Sequence, residues 1–193
     1  LCCLLPLSQL FASIYDPTKR QDVSDFIDEM VNDKKMDRTH LENLFKETNK
    51  RDDILELIAR PAERVLVWHE YRKIFITQLR IDGGKKFLTQ YADALQRAEQ
   101  KYGVPAEIIT AIIGVETIYG GNTGSYRVID ALSTLAFDYP PRAPFFRQQL
   151  KEYLLLTREE QVNPLSLTGS YAGAMGLPQF MPGSFRAYAV DFD

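Results

Sequence analysis

Apolar side chains return every three to four positions along most of this chain, and glycine or proline interrupts them at intervals. That rhythm is the strongest constraint on the fold, because a helix turns one face toward a core at this spacing and a strand does not. Phe26, Ile27, Met30 and Val31 predict a helix over 22–31. Thr39 followed by Glu42 is a capping-box signal ahead of Leu41, Leu44 and Phe45. Ile54, Leu55 and Ile58 predict a short helix over 52–59, and Pro61 can open another through Val65, Trp68, Tyr71, Ile74 and Phe75. Gly83-Gly84 reads as a break, followed by a long helix over 85–102 that ends at Gly103. Pro105 opens a helix running to about Tyr119, where Gly120-Gly121 stops it. Helices are expected over 128–137 and 143–156 around a rigid Tyr139-Pro140-Pro141 turn, and Thr157 with Glu160 repeats the capping-box pattern. The stretch 163–184, rich in Gly, Pro and Ser, reads as loop. No alternating run is long enough for a strand, so the expected class is mainly α.

Bulk properties remove several function classes. The 193 residues are 45% hydrophobic and 25% charged, a globular composition. The net charge is -3 and the basic residues are dispersed, which argues against a nucleic-acid partner. Cys2 and Cys3 are adjacent and cannot staple a domain. They lie in LCCLLPLSQLFA, an apolar stretch too short to span a bilayer. We read 1–13 as the remnant of a secretory signal peptide, with cleavage expected near Ala12-Ser13, and the protein as exported. A buried N-terminal helix is the competing reading. A lipid-anchored cysteine fits less well, because the segment stays apolar after Cys3.

The helix opened by Pro105 carries the most chemistry. At 100° per residue, Ile108, Ile109, Ile112, Val115 and Glu116 share one side, and Glu107, Thr110, Ala111 and Gly114 the other. A carboxylate set among Ile and Val side chains loses hydration and keeps its proton to higher pH, as a general acid requires. Glu116 is therefore the candidate acid. The plain alternative is a glutamate whose head reaches solvent or an arginine. Other chemistries lack support. His40 and His69 are the only histidines and neither has a helical His or Cys partner for zinc. No nucleophile elbow and no phosphate-cradling glycine loop occur. No metal ligand set is expected for catalysis.

GVETIYG at 114–120 and GSYAGAMGLPQFMPGSFRAYAVDFD at 169–193 resemble the lytic murein transglycosylase B family. So do PAERVLVWHEYRKIFIT at 61–77, KYGVPAEIITAIIGVE at 101–116 and DALSTLAFDYPPRA at 130–143, all in the family's order from about Asp22 onward. The resemblance implies a lysozyme-like helical catalytic core, expected over 81–193, with a smaller N-terminal helical lobe over 14–80, the core ending short of the family's C-terminal part. It implies cleavage of the β-1,4 bond between N-acetylmuramic acid and N-acetylglucosamine in peptidoglycan, leaving 1,6-anhydromuramyl ends. The catalytic glutamate would be Glu116, and Tyr71, Arg142, Ser170 and Gln179 would hold the glycan. Pro141 stands where the family can carry a second basic residue, and Gly183 where a serine is often found. No cofactor is implied for catalysis. Asp191 and Asp193 match the opening of a family calcium loop, and without its later ligands tight calcium binding is not expected of them. The implied setting is the periplasm or cell envelope of a Gram-negative bacterium, with glycan strands as partner, peripheral envelope association and a monomeric state. The alternative from another class is an inactive domain that binds peptidoglycan as a scaffold.

Overall fold

The structure is a computed structural model that describes residues 14–60 and 66–190. The signal-peptide reading of 1–13, the start of the Pro61 helix and Asp191 and Asp193 lie outside the described residues. Packing divides the chain into two compact units that meet in sequence at Lys50 and Arg51.

The first unit holds helices α1 (Gln21–Lys34) and α2 (Arg38–Lys46). The predicted spacing holds: α1 buries Val23, Phe26, Ile27 and Met30, and α2 buries Leu41, Leu44 and Phe45. Phe26 and Phe45 meet edge to face with ring centroids 5.8 Å apart. The cap of α2 is Asp37, whose carboxylate accepts from the His40 amide at 2.6 Å. It precedes the expected Thr39, because a carboxylate facing the first amides of a helix also meets the positive end of its dipole.

The second unit contains α3 (Asp52–Ala59), α4 (Trp68–Phe75), α5 (Gln78–Gln90), α6 (Ala92–Tyr102), α7 (Ala106–Thr117), α8 (Val128–Asp138), α9 (Ala143–Glu159) and α10 (Pro182–Tyr188). Two two-residue strands, β1 (Tyr126–Arg127) and β2 (Thr168–Gly169), pair antiparallel. At the centre α8 is buried on nearly all sides, from Val128 to Ala136, and packs against α9 and α3. From α9 come Phe146, Leu150, Tyr153, Leu154, Leu155 and Leu156. Each such side chain contributes about 1.5–3 kcal/mol on leaving water. A bidentate pair, Arg127 Nε and Nη2 to both Asp130 oxygens at 2.8 Å, fixes the start of α8 on the β1 side.

Three expectations are corrected here. Gly83-Gly84 does not break the chain: α5 runs through both glycines. Two interior glycines cost a helix about 0.5–1 kcal/mol each relative to alanine, and here they offset it by making room for the Tyr119 ring. A Cβ on Gly83 would lie 2.7 Å from Tyr119 Cδ2, and one on Gly84 2.7 Å from its hydroxyl. The break falls instead at Tyr91, where α5 gives way to α6, and α6 ends as predicted at left-handed Gly103. Thr157 starts no helix; its hydroxyl donates to Leu154 O inside α9, which continues to Glu159. Within the expected 163–184 loop, α10 begins at Pro182, a residue suited to the first turn.

Candidate active site

Helix α7 does not bury the side its apolar residues predict. Ile108, Ile112 and Val115 are 51%, 52% and 45% exposed, and Glu116 is exposed with them. The buried stripe is Thr110, Gly114 and Thr117. Closeness of approach, not apolarity, selects that face. A Cβ on Gly114 would lie 2.6 Å from Tyr119 Cζ, so only glycine lets the helix settle against this ring. The desolvation expected for Glu116 from its Ile and Val neighbours is therefore not supplied by the described residues, and its carboxylate makes no hydrogen bond among them.

The backbone after Glu116 is unusual. Ile118, Tyr119 and Gly120 are left-handed in succession, with φ of 53°, 59° and 88°. A β-branched residue rarely enters this region, and each non-glycine there costs about 1–2 kcal/mol. The turn satisfies the carbonyls that the end of α7 leaves open. Ile113 O accepts from the Ile118 and Tyr119 amides, Thr117 O from the Asn122 amide at 2.8 Å, and Gly114 O from Arg80 Nε at 3.2 Å. The Tyr119 hydroxyl donates to Arg80 O at 3.0 Å.

This turn leads into a short segment that ties the other candidates together. Thr117 Oγ1 donates to Leu177 O at 3.0 Å and accepts from the Gly120 amide at 3.0 Å. The residue beside Glu116 is thus bonded to the loop that carries Gln179. Gln179, itself left-handed at φ 50°, donates through Nε2 to Thr123 O at 3.1 Å and Gly176 O at 3.0 Å. Both of its N–H bonds are committed, so Oε1 is the part left to meet a ligand. Gly124 lies so close to Gly169 O that no Cβ fits, and a Cβ there would be 2.5 Å from the Ser170 amide nitrogen. Ser170 Oγ accepts from the Ala174 amide at 3.0 Å and the Ala172 amide at 3.3 Å, which leaves its O–H to donate. Residues 117–124 therefore connect the end of α7 to Gln179 on one side and to Ser170 on the other.

The other two candidates sit on separate elements. Tyr71 is exposed on α4 with its ring 5.1 Å from Phe75, and the Arg80 guanidinium lies 5.5 Å from the Phe75 ring centre. Through Arg80 this aromatic group reaches Gly114 of α7. Arg142 ends a 3-10 turn (Pro140–Arg142), and its guanidinium lies 4.4 Å from the Phe145 ring centre. Among the described residues no hydrogen bond or ring contact joins Arg142 to the other four. A cavity of about 450 Å³ is lined by Thr123, Leu156, Met175, Gly176 and Phe185 among others. It touches the two residues that hold the Gln179 amide but none of the five candidates.

Sequence reasoning missed Thr117, Thr123, Gly124 and Arg80. Only the glycines gave a signal, and the use of Gly83-Gly84 as a socket is visible only once Tyr119 is placed. No three acidic, histidine or cysteine side chains gather into a metal-binding group among the described residues, and none of their helices is long and apolar enough to cross a membrane.

Comparison with known proteins adds an independent line. The Transglycosylase SLT domain family matches residues 18–193. Membrane-bound lytic murein transglycosylase B of Escherichia coli (strain K12) is 46% identical over 186 residues, which cover 92% of this chain and 52% of that protein. The crystal structure of the soluble lytic transglycosylase SltB1 from Pseudomonas aeruginosa is 64% identical with a TM-score of 0.87, covering 89% of this chain and 58% of that one. The Escherichia coli lytic transglycosylase Slt35 in complex with calcium is 44% identical with a TM-score of 0.87, covering 98% and 61%. The chain spans about half the length of the curated relative it matches. Mainly helical, lysozyme-like in architecture and matched along nearly its whole length, the chain belongs to the Transglycosylase SLT domain family.

Proposed function

We propose that this chain carries the proton-transferring part of a peptidoglycan lytic transglycosylase. It would cleave the β-1,4 bond between N-acetylmuramic acid and N-acetylglucosamine and leave 1,6-anhydromuramyl ends. The observation that supports this reading is the Thr117 bond to Leu177 O, together with the Gln179 bond to Thr123 O, which link the residue beside Glu116 and the loop that carries Gln179 in one hydrogen-bonded frame. In the reaction Glu116 gives its proton to the glycosidic oxygen as the bond to the anomeric carbon breaks. The substrate's acetamido oxygen stabilises the positive carbon, and the Ser170 hydroxyl donates to that acetamide. Glu116 then takes the proton of the muramyl 6-hydroxyl as its oxygen closes on the anomeric carbon, so the carboxyl ends protonated as it began. Gln179 accepts from substrate through Oε1. Tyr71 and Arg142 hold flanking sugars, the first by ring stacking and the second by charge. A glycan laid along the exposed face of α7 would exclude the water that the described residues leave around Glu116.

This reading gives glycan strands as the partner, a monomer as the working unit and the periplasm as the place of action, with peripheral association to the envelope. In this reading 14–80 is the smaller lobe and 81–193 the catalytic core, a functional division distinct from the packing boundary at Lys50 and Arg51. Asp191 and Asp193 would contribute to a structural calcium loop only together with that loop's later ligands, and not to catalysis. The test is digestion of purified peptidoglycan by the protein and by Glu116→Gln, with products weighed by mass spectrometry. Anhydro ends, lighter by one water than reducing ends, are expected from the native protein, and at least about a 100-fold loss from the variant. Products with reducing ends, or undiminished turnover by Glu116→Gln, would overturn the proposal. Sedimentation with peptidoglycan without any product would favour a scaffold instead.

A further inference from the structure

We infer that Arg80 and Tyr119 are positioning residues for Glu116, acting through the last turn of α7; the inference rests on the proton-carrying role proposed for Glu116. The Glu116 carboxylate is exposed and hydrogen-bonded to no described residue, so among the described residues what is held in place is the backbone that carries it. That backbone is held on both sides by one residue of α5. Two positions before Glu116, Gly114 O accepts from Arg80 Nε at 3.2 Å; three positions after it, the Tyr119 hydroxyl donates to Arg80 O at 3.0 Å. Arg80 is itself fixed, since Nη1 donates to Ile74 O at 2.9 Å and the guanidinium lies over Phe75.

The Tyr119 ring has no freedom to leave. Gly83 and Gly84 of α5 and Gly114 of α7 form a socket around it, each so near that a methyl group would collide with the ring or its hydroxyl, and Phe87 closes it at 5.6 Å between ring centres. A plain helix end would need neither three left-handed residues nor three glycines from two helices around a single tyrosine. The arrangement spends conformational strain to set the level at which α7 stops, and Glu116 is the next-to-last residue before that stop. A planar guanidinium suits the task because its rigid fork can serve two backbone carbonyls at once, where an ammonium on a flexible stem cannot hold both directions.

The discriminating experiment uses the fit between Gly84 and the hydroxyl. A Cβ on Gly84 would be 2.7 Å from the Tyr119 hydroxyl but 3.4 Å from Cζ, so Tyr119→Phe removes the collision that Gly84→Ala creates. Turnover of peptidoglycan, KM and amide hydrogen exchange at Gly121 and Asn122 would be measured for Gly84→Ala, Tyr119→Phe, the double variant, Arg80→Met and Arg80→Lys. Gly84→Ala and Arg80→Met should lower kcat by about 10- to 100-fold, the scale of a misplacement near 1 Å, with KM within about threefold. Exchange at the two amides should quicken, Arg80→Lys should recover part of the loss, and the double variant should return to the level of Tyr119→Phe alone. Unchanged exchange in both Gly84→Ala and Arg80→Met overturns the clamp. Faster exchange with kcat unmoved, or a loss that the double variant does not rescue, reduces it to a structural contact. Glu116→Gln serves as the separate control: undiminished turnover there refutes the role of Glu116, whereas a dead Glu116→Gln beside a fully active Gly84→Ala refutes only the positioning role.

Discussion

Gly124→Ala should be among the most damaging single-methyl changes in this chain, and the structure lets its cost be divided. Gly124 has φ of 93°, and a Cβ there would overlap Gly169 O and come 2.5 Å from Ser170 N. A side chain at this φ costs about 1–2 kcal/mol from backbone strain alone. The collision is with backbone, not with a flexible tip, so the 123–124 segment must move away, at about 1–3 kcal/mol by analogy with overpacked cores. Together these give about 2–5 kcal/mol, or roughly 4–20 °C in Tm for a domain of this size. Gly103→Ala isolates the first contribution. Gly103 has φ of 70° but nothing within 4 Å of its would-be Cβ, so its loss should stay near about 2–8 °C. Thermal unfolding of the two variants by circular dichroism gives both numbers, and their difference measures the collision. A Gly124→Ala protein that melts with Gly103→Ala, or above it, would refute the argument that close approach of 123–124 to 169–170 builds the site.

Thr117→Val should cost about 0.5–1.5 kcal/mol, the net value of a hydrogen bond, because Leu177 and Gly120 are exposed and water can reach the groups it leaves; urea denaturation at unchanged m-value is the check, and a midpoint equal to the parent's would sink the claim. Acid should destabilise the fold through its paired carboxylates. Hydrogen bonds from Arg20, Arg51 and Arg186 hold Asp22, Asp53 and Glu159 below the usual range. Their contribution is therefore complete above the unfolded values of about 4 and is lost as pH falls through the lower folded ones. These groups are exposed, so the loss is modest, and Glu159→Gln should flatten part of the fall in Tm seen below about pH 4. Base acts through Tyr153, whose burial pushes its phenol far above the ordinary value while its hydroxyl donates to Pro164 O at 2.6 Å. The unfolded chain loses this proton from about pH 10 and the native protein keeps it, so stability should fall as pH climbs past that point. An alkaline stability curve that does not change in Tyr153→Phe would contradict this.

Helix positions were legible where periodic apolar residues meet a core, as in α1, α2, α3 and α8. They were misread where packing relies on small residues. Gly83-Gly84 carries the same letters as a chain break, and only the distant Tyr119 makes it a socket. The wheel of α7 grouped Glu116 with Ile108, Ile112 and Val115, as the structure does, but assigned that face to the interior, because hydrophobicity reports what could be buried and not how closely two helices approach. Glu116, Ser170 and Gln179 were proposed by resemblance, and the bonds that link the end of α7 to the Gln179 loop run through backbone carbonyls at Leu177, Thr123 and Gly176, to which no side-chain pattern gives a clue.

Gln179 gives away both of its hydrogens to the chain that carries it. What it has left is a lone carbonyl, able to receive but not to offer. A sugar hydroxyl can lean on it; an ether oxygen, a carboxylate or a peptide carbonyl finds nothing there to bind. In the proposed glycan-holding role, that amide would favour the edge of a sugar that offers a hydroxyl hydrogen over one that offers only ether or carboxylate oxygens.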